Sequence, residues 1–514
     1  MGGEMNDNGG ANNHAGHGVS EHRLPGGLLV AGMGGGTGKS VVTVGLVAAL
    51  ARRGEPLAVF KKGPDYIDAG WLALAAGRPC YNLDPFLMSP QVICDSFARH
   101  RPHNELALLE GNRGLYDGVD PEGSCSSAEL ARLLGLPVLL VVDCTKTTRT
   151  VAALVLGCLK FDPGLSFAGV VLNRLGGSRH RDMVWRTVEH YTGLPVFGAL
   201  PRGRRDFFPQ RHLGVTPAAE HAEAAAALAA LAEQAEQYLD LEGIVRAARP
   251  EEAKPPVLAA TGGATGNWGQ TPIFPIFSSL ALSQQTGENW CLTPITPVSG
   301  SGGRRLKIGY LHDAAFQFYY PDNLEALEAA GAELVPLNAL SDRQLPPLAA
   351  LYIGGGFPET SAAELAANHS FREAIRRAAA AGLPIYAECG GLIYLGQSIA
   401  IAGEQHQLAG VLPVRFGLAR KPQAHGYTEL LVERENPFYP VGSVIRGHEF
   451  RYSTVESWPQ RPEELVFGMR RGTGFSAGRD GLCYNNVLAL YTHVHALGTP
   501  QWAAGVMARA AAGW

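Results

Sequence analysis

The chain has 514 residues, 46% of them hydrophobic and 18% charged, with a formal net charge of −4. That length and apolar content suffice for two or three packed domains, and the slightly negative balance argues against a general nucleic-acid binder. No apolar run of about 18 residues suggests a membrane-spanning helix, and eight scattered cysteines without a CxxC pair argue against a disulfide framework or zinc site and for the reduced thiols of a cytoplasmic enzyme.

Residues 1–22, rich in Gly, Asn and His, read as a disordered tail, with His14 and His17 as solvated tail residues. Leu28–Ser40 then reads Leu-Leu-Val-Ala-Gly-Met-Gly-Gly-Gly-Thr-Gly-Lys-Ser. A short apolar run predicts a buried strand, a glycine-rich turn follows, and a helix runs from Val41 to about Arg53. Gly34, Gly35, Gly36, Thr37 and Gly38 let backbone N–H groups wrap an anion. Lys39 adds a charge and the Ser40 hydroxyl reaches Mg²⁺. Met33 occupies the place where a standard P-loop has its first glycine; here that glycine is Gly32.

A second strand, Pro56–Phe60, leads into Lys61-Lys62-Gly63-Pro64-Asp65-Tyr66-Ile67-Asp68. A charged loop at the end of a strand beside a P-loop is where an α/β sheet places ligand groups. Lys61 and Lys62 suit an anionic substrate or phosphate; Asp65 and Asp68 suit Mg²⁺ or the polarising of a reacting group. Ordinary turn chemistry is the alternative. Asn82-Leu83-Asp84-Pro85 opens a loop and helix. Strand Leu106–Leu109 ends in Glu110-Gly111-Asn112-Arg113-Gly114-Leu115-Tyr116-Asp117-Gly118, with Glu110 placed for a second Mg²⁺ contact. Further strands are expected at Pro137–Asp143, Ala168–Leu172 and Pro195–Pro201. Asn173 closes one of them, either to read an adenine edge or merely to make a turn. This alternation predicts a mostly parallel sheet covered on both faces. An alanine-rich helix to about Ala248 ends the domain.

Residues 249–303, rich in Gly, Pro, Ser and Thr, read as a disordered linker carrying two near copies of an Asn-Trp-x-x-Thr-Pro-Ile segment. A second domain follows over 304–514. Its expected elements are strand Leu306–Leu311, helix Asn323–Ala330, strand Ala332–Pro336, strand Leu351–Ile353, a helix from Ser361 past Ala381, and strand Pro384–Ala387. Cys389 stands between that last strand and a helix, with Gly390 and Gly391 behind it, the setting of a nucleophile elbow. Gly355 and Gly356, in the Gly-Gly-Gly loop upstream, and Gly390 offer backbone N–H groups to an oxyanion. His493 and His495 lie at a late strand end; His493 is the expected general base.

The two halves resemble the cobyrinic acid a,c-diamide synthase family over roughly Leu28–Ala248 and Arg305–Val506. The motifs that carry the resemblance are Gly-Thr-Gly-Lys-Ser, Lys-Gly-Pro-Asp-Tyr-Ile-Asp, Asn-Leu-Asp-Pro, Glu-Gly-Asn-Arg-Gly-Leu-Tyr-Asp-Gly, Arg-His-Leu-Gly, Gly-Gly-Gly-Phe-Pro-Glu, Ala-Glu-Cys-Gly-Gly-Leu, Arg-Gly-His-Glu-Phe and Tyr-Thr-His-Val-His. The resemblance implies a P-loop, dethiobiotin-synthetase-like α/β domain over 23–248 joined to a class I (triad) glutamine amidotransferase-like α/β domain over 304–514. It also implies the activity, a carbon–nitrogen ligase using ATP, Mg²⁺ and L-glutamine to amidate the a and c acetates of cobyrinate through an acyl phosphate. Relatives of the same build amidate sirohaem-type and nickel-sirohydrochlorin rings. On this chain the resemblance puts Lys39 and Ser40 on ATP and Mg²⁺, Asp65 and Glu110 on Mg²⁺, and Asn173 toward adenine. Tyr66, Asp68 and Asp117 fall in motifs that handle substrate and acyl phosphate; Cys389 and His493 fall to glutamine. Two departures stand out. His495 occupies the place where glutaminases of this general class often carry a glutamate, and Asn112-Arg113 the place of two apolar residues. No nucleic acid or membrane is an expected partner, and a homodimer is a possible assembly. The competing class is a P-loop regulatory ATPase, which has no use for an elbow cysteine and a late histidine.

Overall fold

In the computed structural model, which describes residues 26–102, 105–203, 210–211, 214–215, 223–249 and 305–514, the apolar runs of the first half become a parallel sheet. The expected tail and the 250–303 segment lie outside the described residues, as do His14, His17, His212 and Leu213. In chain order the elements are β1 (Gly27–Gly32), α1 (Lys39–Arg52), β2 (Leu57–Lys62), α2 (Tyr66–Ala76), β3 (Cys80–Leu83), α3 (Pro90–His100), β4 (Leu106–Gly114), α4 (Ser127–Leu134), β5 (Val138–Asp143), α5 (Arg149–Phe161), β6 (Phe167–Leu175), α6 (Ser178–Thr192) and β7 (Val196–Pro201). A two-residue hairpin, β8 (Gln210–Arg211) and β9 (Gly214–Val215), precedes α7 (Ala224–Tyr238) and α8 (Leu241–Ala248). The sheet order is β3-β2-β4-β1-β5-β6-β7. Strands such as β1 and β5 are buried on both faces, as continuous apolar runs require. The register sets Val30 beside Glu110 and Lys61 beside Glu110, so the carboxyl ends of β2, β4 and β1 converge under the glycine-rich turn. The alanine-rich segment forms two helices, because Asp240 caps a new one by accepting from Gly243 N.

The second half holds β10 (Leu306–Leu311), α9 (Pro321–Ala329), β11 (Ala332–Leu337), β12 (Ala350–Ile353), α10 (Ala362–Ala367), α11 (His369–Ala380), β13 (Ile385–Glu388) and α12 (Gly390–Leu395). Then come β14 (Ser398–Ile401), β15 (Glu404–Gln407), β16 (Arg415–Leu418), β17 (Ala424–Val432), β18 (Val444–Arg451), β19 (Ser453–Ser457), β20 (Leu465–Arg471), β21 (Arg479–Tyr484), β22 (Val487–Leu490), β23 (His493–Val494) and α13 (Gln501–Ala511). The helix expected from Ser361 past Ala381 is broken at Asn368, whose side chain caps α11 by accepting from Phe371 N. The main sheet runs β11-β10-β12-β13-β22-β21-β20-β17-β18-β23. It is parallel from β11 to β22 and antiparallel beyond. The sheet curls back, so that β23, only two residues after β22, pairs with the distant β18. That curl brings His493 over the end of β13.

The two halves meet along aromatic and charged contacts. Tyr66 stacks on Phe318 and Tyr320, with centroids 5.1 and 4.4 Å apart. Phe86 stacks on Tyr427, whose hydroxyl donates to the fully buried Asp84 at 2.9 Å. Tyr81 donates to Glu325 at 2.7 Å, and His100 lies 3.2 Å from the same carboxylate. An ideal Cβ on Gly498 would stand 2.4 Å from the Leu87 carbonyl, so the backbones themselves touch there. Among the described residues no helix is long and apolar enough to cross a membrane.

Candidate active site

The glycine-rich turn has two kinds of glycine. Gly38 caps α1 in the left-handed region (φ 86°), and a Cβ there would lie 2.2 Å from the Asn173 amide nitrogen. Gly34, Gly35 and Gly36 would meet nothing within 4 Å, so their face is open, with room for a phosphate against the backbone. Lys39 sits at the first helical turn and pairs with Glu110 at 2.6 Å. The same Glu110 oxygen accepts from Lys61 (2.9 Å) and from the Ser40 hydroxyl (2.9 Å). Asp68 accepts from Lys61 at 2.8 Å and from Ser40 at 3.2 Å. Lys61 is fully buried. Burial opposes its charge, but Asp68 and Glu110 outweigh that and hold it well above the ordinary lysine range. Lys62, also buried, is shifted the other way by burial, with Asp84 opposing.

Ser40, Glu110 and Asp68 are linked by hydrogen bonds around the Lys61 ammonium, and the second oxygen of Glu110 is buried without a hydrogen-bond partner. That donor set suits Mg²⁺. Asp65 caps a helix with one of its oxygens. Its Oδ1 accepts from Ile67 N (2.9 Å) and Asp68 N (3.0 Å), capping α2, so Asp68 rather than Asp65 touches Ser40. Asn173 bonds the backbone: its amide donates to Thr37 O at 2.8 Å and its oxygen accepts from Arg174 N at 2.9 Å. These bonds brace the P-loop against the end of β6. Asp117 closes the turn after β4, accepting from Gly114 N at 2.8 Å. Arg113 beside it is exposed with φ 51°. Asn82 donates to Gly63 O (2.8 Å) and Asp65 O (3.0 Å), pinning the Lys-Gly-Pro-Asp loop.

At the other centre, Cys389 takes φ 46°, ψ −96° between β13 and α12, the strained turn an elbow needs. A Cβ on Gly390 would lie 3.0 Å from Gly356 N, and one on Gly391 2.4 Å from Ile353 O, so the Gly-Gly-Gly loop packs directly on the turn. A Cβ on Gly355 would lie 2.2 Å from His493 Cε1, which places that loop under the imidazole. His493 is buried, and burial alone lowers a histidine's pKa. Here Cys389 and Glu388 outweigh it and push His493 up to about 9. Its Nδ1 lies 3.5 Å from Glu388 Oε2. His448 stacks on it at 4.8 Å, and burial together with His493 keeps His448 well below the ordinary histidine range. His495 turns away: its Nε2 faces Asp322 at 3.4 Å and its ring packs 4.4 Å from Tyr320.

The two centres adjoin. Tyr66 opens α2 with its ring 5.4 Å from the His493 ring, and Asp68, two residues on, bonds Ser40. The residues missing from the sequence-based site were Glu388, Asn82 and Tyr320. A glutamate closing an otherwise apolar strand was the available signal for Glu388.

Comparison with known proteins is consistent with this division. Residues 28–213 match the CobQ/CobB/MinD/ParA nucleotide binding domain, and residues 307–501 match the CobB/CobQ-like glutamine amidotransferase domain. A cobyrinate a,c-diamide synthase of Magnetococcus marinus is 40% identical, the match covering 94% of this chain and 96% of that protein. Proteins of the same name from Syntrophotalea carbinolica (38%; 92% and 96%) and Dehalococcoides mccartyi (36%; 91% and 94%) follow.

Proposed function

The chain belongs to the cobyrinate a,c-diamide synthase family, and on that premise we propose that it converts the a and c acetates of cobyrinate to amides with ATP and glutamine, by way of an acyl phosphate. It is a glutamine-dependent amide ligase, built as a P-loop nucleotide-binding domain with a parallel sheet followed by a glutamine amidotransferase domain. We assign the ATP-dependent step to 23–248 and the release of ammonia to 304–514.

The chemistry divides because a carboxylate is a poor acyl donor; its leaving group would be oxide. Attack of the acetate oxygen on the γ-phosphorus of ATP expels ADP and leaves an acyl phosphate. Ammonia then adds to the acyl carbon, phosphate leaves, and the nitrogen loses a proton. Lys39 and Lys61 lie at strand and helix ends where they can balance phosphate charge, with Lys39 exchanging Glu110 for the nucleotide. Ser40 and Glu110, with Asp68 beside them, would hold Mg²⁺, which would offset charge on the transferring group. Asp65 supports that set by capping α2. At the far side Cys389 attacks the glutamine amide carbon, the Gly356 and Gly390 N–H groups receive the oxyanion, and His493 delivers the proton to the leaving ammonia. Water then cleaves the thioester.

The observation that carries this reading is the first turn of α2, where Tyr66 lies against the base of one site and Asp68 bonds the P-loop serine of the other. The test is mass spectrometry of cobyrinate incubated with the enzyme and MgATP. With glutamine the product gains two amides; Cys389→Ser gives none with glutamine but both with ammonium. Loss of both routes in a folded variant overturns the division of labour, and amidation of sirohaem but not cobyrinate overturns the substrate.

A further inference from the structure

A carboxylate buried at an apolar strand end needs a partner. Glu388 is fully buried, and among the described residues no lysine or arginine pairs with it. Its Oε2 lies 3.5 Å from His493 Nδ1 and accepts from the Tyr352 hydroxyl at 3.4 Å; its Oε1 faces Val494 N at 3.3 Å. The residue two places after His493 cannot do this work, because His495 is directed to Asp322 on the other side of the strand. We propose that Glu388, the residue immediately before the nucleophile, is the positioning acid of the glutaminase, resting on the assignment of Cys389 and His493 above.

The physical need is specific. A general base must carry its proton on Nδ1 so that the other ring nitrogen is free to take the thiol proton, and the imidazolium that forms needs a counter-charge. A carboxylate beside Nδ1 supplies both. The groups facing His493 are Cys389, Glu388, His448 and Tyr66; burial and His493 itself disfavour a charge on His448, and the carboxylate on the Nδ1 side is Glu388, 3.5 Å away. Its raised proton affinity, caused by burial, is opposed by His493 itself. The arrangement is braced from behind. Asn323 donates to Tyr352 at 3.4 Å and to Val494 O at 2.8 Å, and accepts from Ala496 N at 2.7 Å. One side chain thus ties the residue that holds the acid to the strand that carries the base.

The experiment compares the full chain with Glu388→Gln and Glu388→Asp, following glutamine hydrolysis against pH, with ammonium-driven amidation as control. Glu388→Gln is expected to lower kcat for glutamine on the order of 10²–10⁴-fold. The basic limb of its pH profile should move to lower pH by about one unit or more, since a counter-charge is lost. Ammonium-driven amidation should persist, and Glu388→Asp should recover part of both effects. An unchanged pH profile in Glu388→Gln, while Cys389→Ser abolishes glutamine use, overturns the role of Glu388 alone. Glutamine use surviving in Cys389→Ser overturns the underlying site instead. Should Glu388→Gln lose the ammonium reaction too, the Glu388→Asp profile decides: a shift in the same direction supports the role, and an unshifted one refutes it.

Discussion

Replacing Glu110 with Gln tests whether the charge balance under the P-loop is as tight as the distances imply. One oxygen of Glu110 faces Lys39 at 2.6 Å and Lys61 at 2.9 Å, and Asp68 reaches Lys61 at 2.8 Å. Two cations and two carboxylates therefore cancel. Gln keeps the shape but removes one negative charge, leaving Lys61, with no exposed side-chain surface, to an aspartate that is 20% exposed. Breaking a buried pair from one side costs about 3–5 kcal/mol, because the remaining charge is uncompensated. For a domain of this size each kcal/mol moves Tm by roughly 2–4 °C, so a fall of about 6–20 °C is expected. Scanning calorimetry of the transition that MgATP shifts reads it. Glu110→Gln combined with Lys61→Met removes both partners and should regain most of the loss. A fall under about 2 °C, or a double variant no more stable than the single, refutes the reasoning.

Two further outcomes follow from the glutaminase geometry. Gly355→Ala drives a methyl to 2.2 Å from His493 Cε1, so glutamine hydrolysis should fall at least about 10²-fold while ammonium-driven amidation continues; an active variant would show that the loop gives way. His493 holds its proton below about 9 and loses it above. Glutamine-driven amidation should therefore decline as pH rises through that value. The ammonium-driven reaction, helped by the growing share of free ammonia, should show no such limb in the same pH titration.

Much of the parallel core was legible, because strands buried on both faces are written as unbroken apolar runs. The elbow at Cys389 was legible as well, since strand, cysteine and paired glycines are contiguous. What depended on register was not. Lys61 and Glu110 face each other only because β2 pairs with β4, which nothing in either segment announces. Asn173 has to be seen against Thr37 before its amide is known to hold the loop. The strands from Ser398 to Tyr484 are faint in the sequence: β17 mixes buried and exposed positions with glycine and polar residues, so its alternation is weak. Glu388 was visible beside Cys389, but its partner arrives only when the sheet curls and sets β23 against β18.

Tyr66 and Asp68 lie about 3 Å apart along the axis of one helix, yet they answer to different chemistries. The lobes are accordingly not interchangeable cassettes. A foreign nitrogen-donating lobe grafted onto this synthetase would have to bring its own equivalents of Phe318, Tyr320 and His448, or the helix that seats the phosphate-side aspartate would lose the wall it leans on.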